Sequence, residues 1–439
     1  MSYLLVCINV MSIVKTNQER RYQQFSSIKG GTLNIISLAF WVIFALNYLY
    51  LNRILVVITY ERFRLGIFIL SISLLVILLS QRVVKNSILA YSIITLSGII
   101  LISAWINQIP FLQFLAFFRI PIIVYLIYNI VVCYFNTDKR VIRVLQIFYI
   151  IAALQLPIIA FQRYAYTWLP SSLIYITSLT DFGTGTFSGD TAMAFALIGL
   201  VILLLFNNKV KKIIKQRWLL AAWLSLTILF SNSQIHHVTI GLVWVIYFLS
   251  HMKARDLIIG CSILLVVTGM IVLTSQSNLM TYPFLYNTIA QISNISSVLD
   301  ENINYDVFFS GGHDRIAAIS YYIHQPIKLI GDGPGSVYDT SSGQRTVGGW
   351  GHFFTFYAEV GLLGYLFSIL IFFVIAFPII MMKSSLRIRT SWVGALMFLS
   401  IFIVTFVKYP MGDTVMVFTY CIILIAHQVL TPSKYSINV

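Results

Sequence analysis

The feature that most constrains this chain is a succession of apolar stretches, each close to the length of a bilayer crossing. They fall at about 33–51, 65–80, 87–106, 112–135, 141–161, 190–206, 217–230, 235–250, 256–274, 352–382, 391–408 and 411–429. A helix rises about 1.5 Å per residue, so roughly 20 residues cross a hydrocarbon core of ~30 Å. Hydrophobic residues make up 59% of the 439 and charged residues only 10%. Mean hydropathy is +0.88. No soluble domain of this length needs so apolar a surface. The expectation is an all-α polytopic integral membrane protein with about twelve transmembrane helices.

In a soluble chain, a net charge of +15 would point to nucleic acid. Here the basic residues cluster in short connections and no basic soluble domain is present, so nucleic acid is excluded as a partner. The placement follows the positive-inside rule instead. Lys15, Arg20, Arg21 and Lys29 put the amino terminus on the cytoplasmic side. With that start, the inner connections at 81–86, 136–143, 207–217, 251–256 and 383–390 are all net basic. The outer connections at 162–190 and 275–351 are net acidic, and only 52–64 breaks the pattern. Both termini are expected inside and the long 275–351 loop outside.

Cys7, Cys133, Cys261 and Cys421 are far apart, lie in apolar runs and lack metal-type spacing; they read as small buried hydrophobes. Residues 1–14 have no basic region and no small-residue cleavage site, so no signal peptide is expected. No repeat or low-complexity linker divides the chain. It reads as one membrane domain, 1–439, with the large extracytoplasmic loop 275–351 within it.

That loop gathers six acids and three bases, Arg315, Lys328 and Arg345. Ile316, Ile319 and Ile323 follow helical spacing, Asp314 is placed to cap, and Pro326 ends the pattern. A short amphipathic helix on the outer face is expected. Arg315 sits in its first turn, where a planar guanidinium could grip phosphate oxygens or simply pair with Asp314. GDGPG at 331–335 contributes Gly331, Gly333 and Gly335. These form a tight turn that either lets backbone approach a ligand or is only a turn.

His352 stands where the loop re-enters the membrane and could serve as a general base at that boundary, or as a structural residue. Glu359, seven residues on, lies about two turns along the same face, and an acid within a span needs a partner or a water-filled cavity. Arg119 is expected to face the bundle interior, and Arg163 sits at an outer helix end. SNSQIHH at 231–237 places Gln234, His236 and His237 on the outer side. Two adjacent histidines make a poor metal site and no carboxylate cluster suits Mg²⁺, so no metal and no cofactor is expected.

Taken together, Arg315, the Gly331, Gly333, Gly335 turn, His352 and the following GLLG at 361–364 resemble the O-antigen polymerase/ligase superfamily of bacterial membrane glycosyltransferases. The stretch DFGTGTFSGDTAMAFALI at 181–198 is similar to that family's glycine-rich lead into a membrane helix. The resemblance implies a bacterial plasma-membrane enzyme that moves a glycan from an undecaprenyl-diphosphate carrier to an acceptor on the outer face, without a metal. It implies that His352 activates the acceptor hydroxyl and that Arg315 holds the diphosphate. A chain-length regulator and a flippase are the implied protein partners. Arg163, Arg345, Gln234, His236 and the three glycines are the implied substrate-binding residues.

The chain departs from the family in one place. Family ligases carry an arginine in a short outer turn, where this chain has Gln234. Either His236, Arg163 or Arg345 replaces that charge, or the donor site differs. A repeat-unit polymerase is the leading expectation. A ligase that joins finished glycan to lipid A core or protein shares the chemistry, and a transporter for lipid-linked oligosaccharide is the rival from another class.

Overall fold

The computed structural model describes residues 30–49, 87–164, 185–187, 190–231, 234–251, 326–336, 352–381, 391–406 and 408–431. Among these residues the chain is helical and has no strand. The helices are α1 (Gly30–Tyr48), α2 (Ser87–Ile106), α3 (Phe111–Tyr134), α4 (Asp138–Ala153), α5 (Gln155–Tyr164) and α6 (Asp190–Phe206). They continue with α7 (Asn208–Ile213), α8 (Arg217–Leu229), α9 (Gln234–His251), α10 (His352–Ile380), α11 (Ser391–Val404) and α12 (Thr414–Leu430).

Among the described residues, four helical stretches are long and apolar enough to cross a membrane: Ser87–Ile106, Gln113–Tyr134, Asp138–Phe161 and Phe356–Ile380. Six shorter apolar helices accompany them, in α1, α6, α8, α9, α11 and α12. The expected windows at 65–80 and 256–274 lie outside the described residues, as does the 275–351 loop apart from 326–336.

Sequence explains the packing order. α6 is apolar all round and buried along its whole length, as a helix surrounded by other helices must be. α8, α9, α11 and α12 pack around it, and α12 also leans on α3. Aromatic rings fill the space between α1, α3, α4 and α12. Phe40 stacks on Tyr134 at 4.1 Å, Tyr48 meets Phe148 at 4.4 Å, and Phe418 lies 5.3 Å from Phe40. Such ring pairs contribute about 0.5–1.5 kcal/mol each beyond the area they bury.

The two ends of the bundle differ in charge. At one end Asn207 caps α7 by accepting from Lys209 N and Val210 N, and its Nδ2 donates to His427 Nδ1 at 2.9 Å. Lys209 pairs there with Asp138 at the start of α4. This joins the basic connections at 136–143 and 207–217, as the charge pattern predicts. At the other end the last turns of α1, α2 and α11 meet the lead into α6 and the first turns of α9, α10 and α12. Thr186 fixes the glycine-rich lead into α6 there. Its N–H donates to Gln155 Oε1 at 2.8 Å and its hydroxyl to Tyr48 O at 2.7 Å.

Candidate functional site

The 352–382 window reads as one uninterrupted span, yet α10 is broken in its middle. Gly361 has φ 84° and ψ −179°, so helical geometry stops there and resumes at once. A helix break strands carbonyls on one side and N–H groups on the other. Residues 328–333 supply the missing partners. Asp332 N donates to Ala358 O at 2.7 Å and Gly333 N to Glu359 O at 3.0 Å. On the far side Leu362 N donates to Lys328 O at 2.9 Å and Leu363 N to Leu329 O at 3.4 Å. Non-helical backbone at membrane depth survives only where protein buries it in this way.

Two positions need glycine for this docking. A Cβ on Gly331 would lie 2.4 Å from Ala358 O, and one on Gly361 would lie 2.3 Å from Leu329 O. The close approach expected of the glycine turn is therefore an approach to the protein's own backbone. α2 completes the joint. Ser103 Oγ donates to Glu359 O at 2.8 Å, and Asn107 Nδ2 donates to Gly331 O at 2.9 Å. On the outer side of the turn Lys328 holds Asp332 with two bonds of 2.8 Å, a largely exposed pair worth little by itself.

At this joint the buried side chain with chemistry is Glu359, which has no exposed surface. A carboxylate is costly to bury in its charged form, so its presence in an apolar helix makes Glu359 a candidate site residue. Seven residues separate it from His352, the first residue of α10. Phe356 lies between Phe117 of α3 at 5.1 Å and Tyr409 at 5.7 Å. Phe353 N donates to Thr405 O at 3.0 Å, which fastens the start of α10 to the end of α11.

The connection after α11 carries Lys408, Tyr409 and Asp413. Asp413 caps α12 by accepting from Val415 N at 2.9 Å and Met416 N at 3.3 Å. Burial pushes its carboxyl above the ordinary value of 3.8, while the bonds from Met416 and Val415 and the nearby Lys408 charge work against that rise. His236, fully buried in the first turn of α9, lies within electrostatic range of Lys408. His237 Nε2 is 3.0 Å from Ile228 O, which ties α9 to α8.

The structure thus brings His352, Gly331, Gly333, Gly335, His236 and Gln234 to one end of the bundle, the end opposite the basic connections. Arg163 occupies the last turn of α5, which sets out from Gln155 at that same end. Arg315, Arg345 and the expected 314–325 helix lie outside the described residues. Sequence reading missed Lys408, Asp413, Asn107 and Ser103. For Lys408 a signal exists: KYPMGD at 408–413 combines a charge with Pro410 and Gly412 between two apolar runs. Among the described residues, no group of three His, Cys, Asp or Glu could hold a metal ion.

No family model matches the chain, and no curated protein matches it.

Proposed function

We propose that this chain is a membrane glycosyltransferase that polymerises undecaprenyl-diphosphate-linked oligosaccharide repeat units on the outer face of a bacterial plasma membrane. Both termini would then be cytoplasmic. The observation that carries this reading is the gathering of polar and titratable groups at one end of an apolar bundle. His352, Glu359, His236 and Lys408 belong to α10, α9 and the α11–α12 connection, and the glycine turn anchors 326–336 against α10 at Glu359.

The chemistry asks little else of a protein. The leaving group is a lipid diphosphate, already activated, so the site must orient it and neutralise the charge that develops on it. His352 takes the proton of the acceptor hydroxyl as its oxygen bonds to the anomeric carbon. The anomeric C–O bond to the diphosphate breaks on the opposite face, which inverts the configuration. Arg315 holds the diphosphate in this scheme, and Arg163 or Arg345 adds charge beside it.

Chain-length analysis of surface glycan tests the reading. His352→Ala and Arg315→Ala, at normal protein level, are expected to abolish the ladder and leave single repeats on the carrier. A full ladder in both variants rules the mechanism out. Finished polymer stranded on the carrier assigns the chain as a ligase instead. Substrate trapped on the inner leaflet assigns it as a transporter.

A further inference from the structure

Lys408 stands in the connection between α11 and α12, and three elements converge on it. Its N–H donates to Val404 O at 2.9 Å, which extends the last turn of α11. Three residues earlier, the bond from Phe353 N to Thr405 O fixes this connection to the residue after His352. α9 brings the fully buried His236 within electrostatic range, and α12 opens nearby with Asp413. Lys408 is itself partly buried.

Among the described residues no carboxylate forms an ion pair with Lys408. The acid in its electrostatic range, Asp413, turns its carboxylate to the Val415 and Met416 amides. An ammonium taken partly out of water calls for an anion, and a charge-assisted contact in such a place is stronger than in bulk water. A lysine can approach phosphate oxygens as a compact point charge with three donors.

We propose that Lys408 binds the diphosphate of the lipid-linked donor, supplying from the α11–α12 connection the cation that the turn at Gln234 lacks. This inference rests on the transferase reading above. In the transfer step the acceptor oxygen bonds to the anomeric carbon, and the anomeric C–O bond to the diphosphate breaks. The electron pair leaves on the phosphate oxygen and the hydroxyl proton goes to His352. Lys408 moves no proton. It neutralises the negative charge that grows on the leaving group.

The test uses the full chain in phosphatidylcholine nanodiscs. Acylation of Lys408 by an amine-reactive reagent is followed by mass spectrometry, with Lys209 at the opposite end as reference. Undecaprenyl diphosphate well above its Kd is expected to slow labelling of Lys408 by about tenfold and to leave Lys209 unchanged. Phosphatidylglycerol is expected to give no comparable protection. In binding assays Lys408→Ala is expected to raise the Kd for undecaprenyl diphosphate by about tenfold or more, and Lys408→Arg by no more than about threefold.

Equal labelling rates with and without bound undecaprenyl diphosphate overturn the assignment of Lys408, and the wild-type chain alone gives that result. Protection by phosphatidylglycerol to the same degree also overturns it, and makes Lys408 an interfacial lysine on phospholipid headgroups. If the wild-type chain binds undecaprenyl diphosphate no better than undecaprenol, the transferase reading itself falls.

Discussion

The amide of Gly333 and the carbonyl of Glu359 meet at 3.0 Å across a break in α10. That bond joins the 326–336 segment to the helix that carries the buried Glu359. The same carbonyl accepts the Ser103 hydroxyl at 2.8 Å, so α2, the turn and α10 share one atom. The joint gives the glycine-rich turn a structural task, since it ties α2 to α10 through backbone bonds.

Gly361→Ala is expected to destabilise the protein severely. Its φ of 84° disfavours any Cβ by about 1–2 kcal/mol, and the added atom would lie 2.3 Å from Leu329 O. Docking of 328–333 would have to give way, which puts the total above about 3 kcal/mol. Gly241 in α9 is the control, since a Cβ there meets nothing within 4 Å. Gly241→Ala is expected to be neutral or to gain up to about 1 kcal/mol from helix propensity. Thermal unfolding in detergent distinguishes the two, and equal melting temperatures would refute the docking argument.

Asn107→Ala tests the clamp from α2. Asn107 Nδ2 donates to Ser103 O at 2.8 Å and to Gly331 O at 2.9 Å. Removing it leaves a buried carbonyl without that donor, a loss of about 1–3 kcal/mol. Amide exchange at Asp332 and Gly333 should speed up in the variant while exchange in α6 stays slow. Unchanged exchange at both amides would mean that the turn is held without α2.

Much of this arrangement could be read from sequence, and its key joint could not. Apolar windows located α2, α3, α6 and α12 to within a few residues, because burial in lipid or in a bundle leaves a continuous hydropathy signal. The break at Gly361 leaves none. Apolar residues continue through it, and its partners lie some thirty residues upstream. The expected helix at 141–161 falls within the single apolar stretch Asp138–Phe161, and Gln155 within it bonds the 185–187 segment. Lys408 reads as the last residue of a span. Only helix packing brings it within electrostatic range of His236, a relation that no local pattern encodes.

Asp413 predicts a pH effect on stability. Its carboxyl pKa is raised above 3.8 in the folded chain, chiefly by burial. Between the unfolded and folded values the native state holds a proton that the unfolded state has lost. Stability therefore falls as pH rises through that window and recovers on acidification. Asp413→Asn keeps an N-cap acceptor but cannot titrate. Between about pH 7 and about pH 4, the melting temperature of the wild type should gain on that of the variant as pH falls. Parallel curves would show that Asp413 does not titrate abnormally. Asp413→Ala should be about 1 kcal/mol less stable than Asp413→Asn at every pH, because it also removes the cap.

Glu359 separates structure from function most sharply. A buried carboxyl contributes little to stability, and an apolar side chain of similar volume commonly fits as well or better. Glu359→Leu is therefore expected to leave the melting temperature equal or higher, with the bonds that the Glu359 backbone carbonyl accepts from Gly333 N and Ser103 Oγ retained. Glycan chain extension is expected to fall by about a hundredfold or more in the same variant, the scale on which a proton-handling group acts in transfer chemistry. Glu359→Gln, which keeps size and polarity without the charge, should show the same loss of extension. A Glu359→Leu protein that unfolds early and a Glu359→Gln protein that extends chains normally would together make Glu359 a structural residue, and would confine the chemistry of the site to His352 and its cations.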